Sequence, residues 1–137
     1  LALAAQIGAK LRGGEVIELV SDLGGGKTAF VRGLAKGMGS ADKVHSPSFT
    51  LSNVYQAGDL RLHHFDFHRL NEPGIMRNEL GEILNDPNNV IVIEWADIVT
   101  DILPPERLTI NIRPTNESSR HYMLSYPEEL NHLFPIT

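Results

Sequence analysis

Eight consecutive residues, Ser21-Asp22-Leu23-Gly24-Gly25-Gly26-Lys27-Thr28, carry the densest chemical signal in the chain. They fit the form of a phosphate-gripping loop that ends in Gly-Lys-Thr, with serine where the first glycine ordinarily stands. A polyphosphate needs several backbone N–H groups directed inward at close range. Successive glycines allow this because no Cβ stands in the way. The spacing therefore predicts that the backbone from Leu23 through Gly24, Gly25 and Gly26 wraps ATP or ADP. Lys27 would set its ammonium against the β- and γ-phosphates, and the Thr28 hydroxyl would ligate Mg2+. A helix opening at Lys27 would add the positive end of its dipole. The bland alternative is a glycine turn, since Gly-Lys-Thr recurs by chance. The flanking pattern of buried-type strand and amphipathic helix favours the phosphate reading. Ser21 is the weak position, because a positive φ there would strain a serine.

Such a loop also needs an acid at the end of a neighbouring strand, to hold the metal or its water shell and to orient an attacking water. Two candidates stand in the sequence. Glu94 follows the apolar run Val90-Ile91-Val92-Ile93, where a buried strand would emerge, and is assigned to the metal. Asp66 lies in His63-His64-Phe65-Asp66-Phe67-His68-Arg69. Period-two alternation puts Leu62, His64 and Asp66 on one face of that strand and His63, Phe65 and Phe67 on the other. From spacing alone, Asp66 is equally a polar residue on a half-buried strand. The histidines at 63, 64 and 68 invite a zinc reading, but neighbours on a strand point to opposite faces, so solvated or hydrogen-bonded histidines are preferred. Trp95 is read as core by default, with a gating aromatic as the alternative.

The elements that must hold these groups follow from periodicity. Leu3, Ala4, Ile7 and Leu11 recur at helical spacing until Gly13-Gly14. Glu15 to Val20 reads as a strand buried on both faces. Phe30, Val31, Leu34, Ala35 and Met38 make an amphipathic stripe that ends at Gly39. A Ser46-Pro47 step forces a loop. Leu51 to Tyr55 and Leu60 to Phe67 then predict a hairpin turning at Ala57-Gly58-Asp59. Asn71 to Gly74 reads as a turn or helix start, Ile75 to Leu84 as a short helix, and Val90 to Ile93 as another buried strand. Alternation at Leu108, Ile110 and Ile112, and at Tyr122 and Leu124, predicts a closing antiparallel pair.

These elements describe one α/β domain over residues 1–137, of P-loop NTPase-like type. Its sheet is expected to be mixed and mostly parallel, flanked by helices, with an antiparallel hairpin and antiparallel C-terminal strands. Twelve basic residues against seventeen acidic ones leave a net charge of −5, which disfavours direct gripping of RNA or DNA by this chain. There are no cysteines, so disulfides, thiolate zinc sites and cysteine nucleophiles drop out, in keeping with a reducing cytoplasm. No apolar run approaches the roughly 20 residues of a membrane span. The stretch from Leu1 to Arg12 lacks the basic leader of a signal peptide. Leu1 is not an initiator methionine, so the expectation allows residues upstream and ligand contacts made by them.

Four motifs in order resemble the TsaE-type ATPases of tRNA threonylcarbamoyladenosine biosynthesis. They are the loop 21–28, Ser46-Pro47-Ser48-Phe49-Thr50-Leu51, His64-Phe65-Asp66-Phe67-His68-Arg69-Leu70, and Ile93-Glu94-Trp95. The resemblance covers about the first hundred residues. Ser21 departs from a glycine of the family pattern, Gly25 from alanine, Ser48 from threonine and His68 from tyrosine. The resemblance implies a slow ATPase serving threonylcarbamoyl transfer to the adenosine beside the tRNA anticodon. It implies Thr28 and Glu94 as metal ligands and Asp66 as required for hydrolysis. The loop from Ser46 to Thr50 would act as a switch sensing the γ-phosphate through Ser48 or Thr50, against the plainer reading of a capped structural loop. Arg120 is expected to be a late-sequence cation near the nucleotide. The family also places a nucleotide contact upstream of Leu1. The implied partners are threonylcarbamoyl-transferase subunits of TsaD and TsaB type, with tRNA engaged only through them. A small-metabolite kinase and a nucleotide-switched binding module without essential turnover are the competing readings, the former weakened by the lack of an arginine-rich lid.

Overall fold

The computed structural model describes residues 2–21, 26–41, 52–67, 74–114 and 120–134. Helix α1 (Ala2–Ala9) leads into strand β1 (Val16–Val20), and helix α2 (Lys27–Met38) follows the glycine loop. The hairpin is β2 (Ser52–Ala57) and β3 (Leu60–Asp66). Helix α3 (Gly74–Leu84), β4 (Asn89–Glu94), β5 (Leu108–Pro114) and β6 (Arg120–Ser125) complete the regular elements. Short 3-10 turns at Ala96–Val99 and Glu128–Leu133 were not legible from periodicity.

The strands form one sheet in the order β2-β3-β4-β1-β5-β6. The inner four are parallel, and the outer two pair antiparallel with β3 and β5. This is the mixed sheet that the alternation and the buried runs predict. It belongs to an α/β fold with helices on its faces. The parallel strands all end at one edge. Because β2 opens opposite Phe65 and β6 opens opposite Pro114, the antiparallel strands begin at that same edge. Six strand ends, four C-terminal and two N-terminal, therefore meet at the edge where β1 stops.

β4 is buried on both faces, as its continuous Val/Ile run requires, and the flanking strands add apolar side chains to each layer. Ile17, Leu19, Val92, Leu108 and Ile110 pack under α1 and α2 through Ile7, Phe30 and Leu34. Val16, Phe65, Ile91 and Ile93 meet Leu80 of α3 and Ala96, Val99 and Leu103 of the following segment. The terminal turn adds Leu130 and Leu133 to the first layer. It is tied down by Glu15, whose carboxylate accepts the Arg12 and Gly13 amides at 2.8 Å and lies 2.7 Å from His132 Nε2. No helix among the described residues is long and apolar enough to cross a membrane.

α2 carries the first residues after the loop, so its seat on the sheet fixes the site. α1 holds it there by backbone contact. A Cβ on Gly37 would lie 2.1 Å from the Ala5 carbonyl oxygen, and one on Gly8 would lie 2.3 Å from that of Leu34. Helix propensity favours Gly→Ala by up to about 1 kcal/mol where space is open. Gly37→Ala is nevertheless expected to destabilise the fold by about 1–3 kcal/mol, because the obstacle is backbone that moves only with its helix. Gly81→Ala in α3, where a Cβ meets nothing within 4 Å, is expected to be neutral or mildly stabilising. Urea melts of the two variants check the contrast.

Candidate functional site

β1 ends at Val20, and Ser21 leaves the sheet with its backbone outside the left-handed region, since Trp95 is the one non-glycine with positive φ among the described residues. The strain foreseen for Ser21 is therefore absent. The positive φ falls instead on Gly26 (φ 94°), the N-cap of α2, where a side chain would be strained. Asp22, Leu23, Gly24 and Gly25 lie outside the described residues, as do the loop from Ser46 to Thr50 with Ser48, and His68, Arg69 and the turn after them.

Lys27, the first helical residue, is only 7% exposed. Among the described residues its ammonium meets Ser21, Glu94 and Trp95. It donates to the Ser21 carbonyl at 3.2 Å, lies 3.6 Å from Glu94 Oε1, and stands 5.0 Å from the centroid of the Trp95 ring. Burying an ammonium is costly unless an opposite charge and hydrogen-bond acceptors compensate it. Glu94 supplies that charge from the last position of β4, itself 5% exposed. In register it stands between Leu19 of β1 and Asp66 of β3, and its carbonyl accepts the Phe67 amide at 3.1 Å. Its other carboxylate oxygen, Oε2, lies 2.5 Å from His64 Nε2.

Asp66 ends β3 half-buried, and Thr28 stands exposed on the first turn of α2. Arg120 opens β6, and its Nε lies 3.7 Å from where a Cβ on Gly26 would sit. The fold thus brings Gly26, Lys27, Thr28, Asp66, Glu94 and Arg120 to one sheet edge. Their donor set fits a metal–polyphosphate: a buried ammonium at a helix N-terminus, a hydroxyl beside it, carboxylates on two adjacent strands, and a guanidinium over a glycine that has no Cβ to obstruct it.

Trp95 corrects the core expectation. The residue is 38% exposed, and its backbone turns left-handed (φ 59°) as the chain leaves β4. With Ser21, Val20 and Lys27 it lines an open depression at the sheet edge, so the alternative of an aromatic beside the site fits its placement. The histidines separate by face, as alternation predicts. His64 reaches Glu94, whereas His63 Nε2–H donates to Asn89 Oδ1 at 3.0 Å on the opposite side of the sheet. Both are buried and hydrogen-bonded, which excludes the solvated version of the reading for His63 and His64. Spacing could place His64 on the face of Asp66. It could not bring His64 to Glu94, because strand order joins them across thirty positions.

Comparison with known proteins bears on these residues. The family model described as threonylcarbamoyl adenosine biosynthesis protein TsaE matches residues 1–122. A tRNA threonylcarbamoyladenosine biosynthesis protein TsaE from Bacillus subtilis is 36% identical over 120 residues, covering 87% of this chain and 74% of that protein. One from Treponema pallidum is 37% identical over 114 residues, covering 83% and 84%. The crystal structure of Bacillus subtilis YdiB superposes with a TM-score of 0.78 at 32% identity, over 96% of this chain and 82% of that one.

The buried pair should behave as a unit. Lys27→Met and Glu94→Gln each leave a polar partner stranded, so the double variant should be more stable than the sum of the singles by about 0.5–3 kcal/mol. A double-mutant cycle in urea reads this directly. His63 gives a pH signature. Burial lowers its pKa below the ordinary 6.5, with the Asn89 hydrogen bond opposing. Below that ordinary value the unfolded chain takes up a proton that the folded chain resists, so stability falls as pH drops toward the lowered folded value. His63→Gln is expected to flatten this acid-side slope, by at most about 1.4 kcal/mol per pH unit, in melts between about pH 7.5 and 5.5.

Proposed function

We propose that this chain, which belongs to the TsaE family, binds ATP with Mg2+ at the C-terminal edge of its sheet and hydrolyses it slowly as an accessory subunit. The family's role in tRNA threonylcarbamoyladenosine biosynthesis gives the process it serves. One observation carries the nucleotide reading: a buried lysine at the N-terminus of α2, held against the acid that ends the adjacent strand, directly after a left-handed glycine. A surface ion pair has no need of that burial.

In this reading the backbone of Leu23, Gly24, Gly25 and Gly26 cradles the phosphates, and the Lys27 ammonium moves from Glu94 toward the β- and γ-phosphates. Thr28 and Glu94 would hold Mg2+, which supplies charge neutralisation across the phosphate oxygens. Asp66 accepts the proton of the attacking water, which its place beside Glu94 in register supports. Arg120 lies close enough to Gly26 to reach the nucleotide. The product is ADP. The acidic balance of the chain supports leaving tRNA to partners, threonylcarbamoyl-transferase subunits of TsaD and TsaB type in the cytoplasm.

Lys27→Ala is expected to abolish nucleotide binding in calorimetry. Asp66→Asn should retain binding while hydrolysis drops by about 10²–10⁴-fold. In a reconstituted tRNA threonylcarbamoylation assay, omission of the protein or Lys27→Ala should stop repeated turnover. Undiminished turnover without the protein would contradict the accessory role, and phosphorylation of a small acceptor by the protein alone would favour a kinase.

A further inference from the structure

The geometry points to His64 as a positioning residue that aims Glu94 at the metal; this deepens the nucleotide reading and rests on it. Glu94 has two carboxylate oxygens, and their partners differ in kind. Oε1 faces the Lys27 ammonium at 3.6 Å, on the side of the glycine loop. Oε2 faces His64 Nε2 at 2.5 Å, within the sheet layer. A carboxylate only accepts, so the ring nitrogen facing it carries the hydrogen and donates.

The bond spans two strands of fixed register. His64 stands opposite Val92 on β4, two positions before Glu94, on the same sheet face. His64 is 3% exposed, on the face where its neighbours Leu62 and Val92 belong to the apolar layer under α1 and α2. Nδ1 has no hydrogen-bond partner among the described residues. A histidine kept there only for packing would be matched by an apolar side chain without the cost of an unfilled acceptor. The compensation lies at Nε2. One oxygen of Glu94 is occupied from inside the sheet, the carboxylate plane is fixed, and the remaining oxygen is directed to the edge where Thr28 and Lys27 stand. Groups that hold a metal ligand in this way typically change metal affinity by about 10–100-fold when removed.

The test separates the donor from the bulk of the ring. In His64→Gln the amide nitrogen reaches the place of Nε2. In His64→Asn the amide stops near Nδ1 and cannot reach Glu94. His64→Phe, of similar volume and without a donor, serves if the Asn variant fails to fold. ATP affinity is measured by calorimetry with Mg2+ and with EDTA, on proteins whose thermal melts confirm folding. The expected result is unchanged affinity in EDTA for all variants. The Mg2+-dependent gain should be kept within about threefold in His64→Gln and lost by about 10-fold or more in His64→Asn or His64→Phe. A full Mg2+-dependent gain in the donor-less variants overturns the inference while leaving ATP binding standing. Equal loss in the Gln and donor-less variants, with EDTA affinity falling as well, also overturns it, because that marks a structural role. Wild-type protein that shows no Mg2+-dependent gain removes the metal reading and this inference together.

Discussion

A lysine ammonium buried at the start of a helix is the constraint around which this structure is organised. Lys27 cannot reach solvent freely, and an uncompensated charge in that position would destabilise the local structure. The fold answers with Glu94, the Ser21 carbonyl and the face of Trp95. None of these is near Lys27 by accident of sequence. Glu94 arrives because β4 is inserted beside β1, and the Ser21 carbonyl accepts from the Lys27 ammonium just past the end of β1. Trp95 arrives because the chain turns left-handed immediately after β4.

The rest of the architecture makes that convergence rigid. Four parallel strands end at one edge, and both faces of the sheet are filled, so their ends cannot shift independently. α2 is fixed against α1 through glycines whose missing side chains let helix backbones approach closely. A helix seated in this way delivers Gly26, Lys27 and Thr28 to a set position, and His64 does the same for Glu94 from the other side. Tight packing far from the edge and polar precision at the edge are therefore two aspects of one arrangement.

Much of this was legible in the chain itself. The strand and the amphipathic helix that flank the glycines could be read because each is a local pattern: a β-branched run and a 3.6-residue stripe. The hairpin turn at Gly58 and Asp59 and the alternation of β5 and β6 are equally local. What depended on strand order was not legible. Placing β4 between β1 and β3 turns Glu94 into the counter-charge of Lys27 and the partner of His64, and no spacing rule encodes that neighbour relation. Trp95 misled because large aromatics are buried by default, and its exposure comes from a backbone turn that sequence does not reveal. Ser21 misled in the opposite sense, since the left-handed position lies at Gly26. The turn at Glu128–Leu133 escaped notice because two leucines three apart give too short a period to register.

The central claim is that the edge built by Gly26, Lys27 and Thr28 grips a magnesium-bound triphosphate against Glu94. The most direct test follows backbone amide and tryptophan side-chain resonances of the isotopically labelled protein through a titration with Mg2+ and ATP. Saturable shifts greatest at Gly26, Lys27 and Thr28, with Trp95 responding as the ammonium leaves its ring, are the predicted result. Saturable shifts confined to another surface, or none at millimolar nucleotide, would contradict the account.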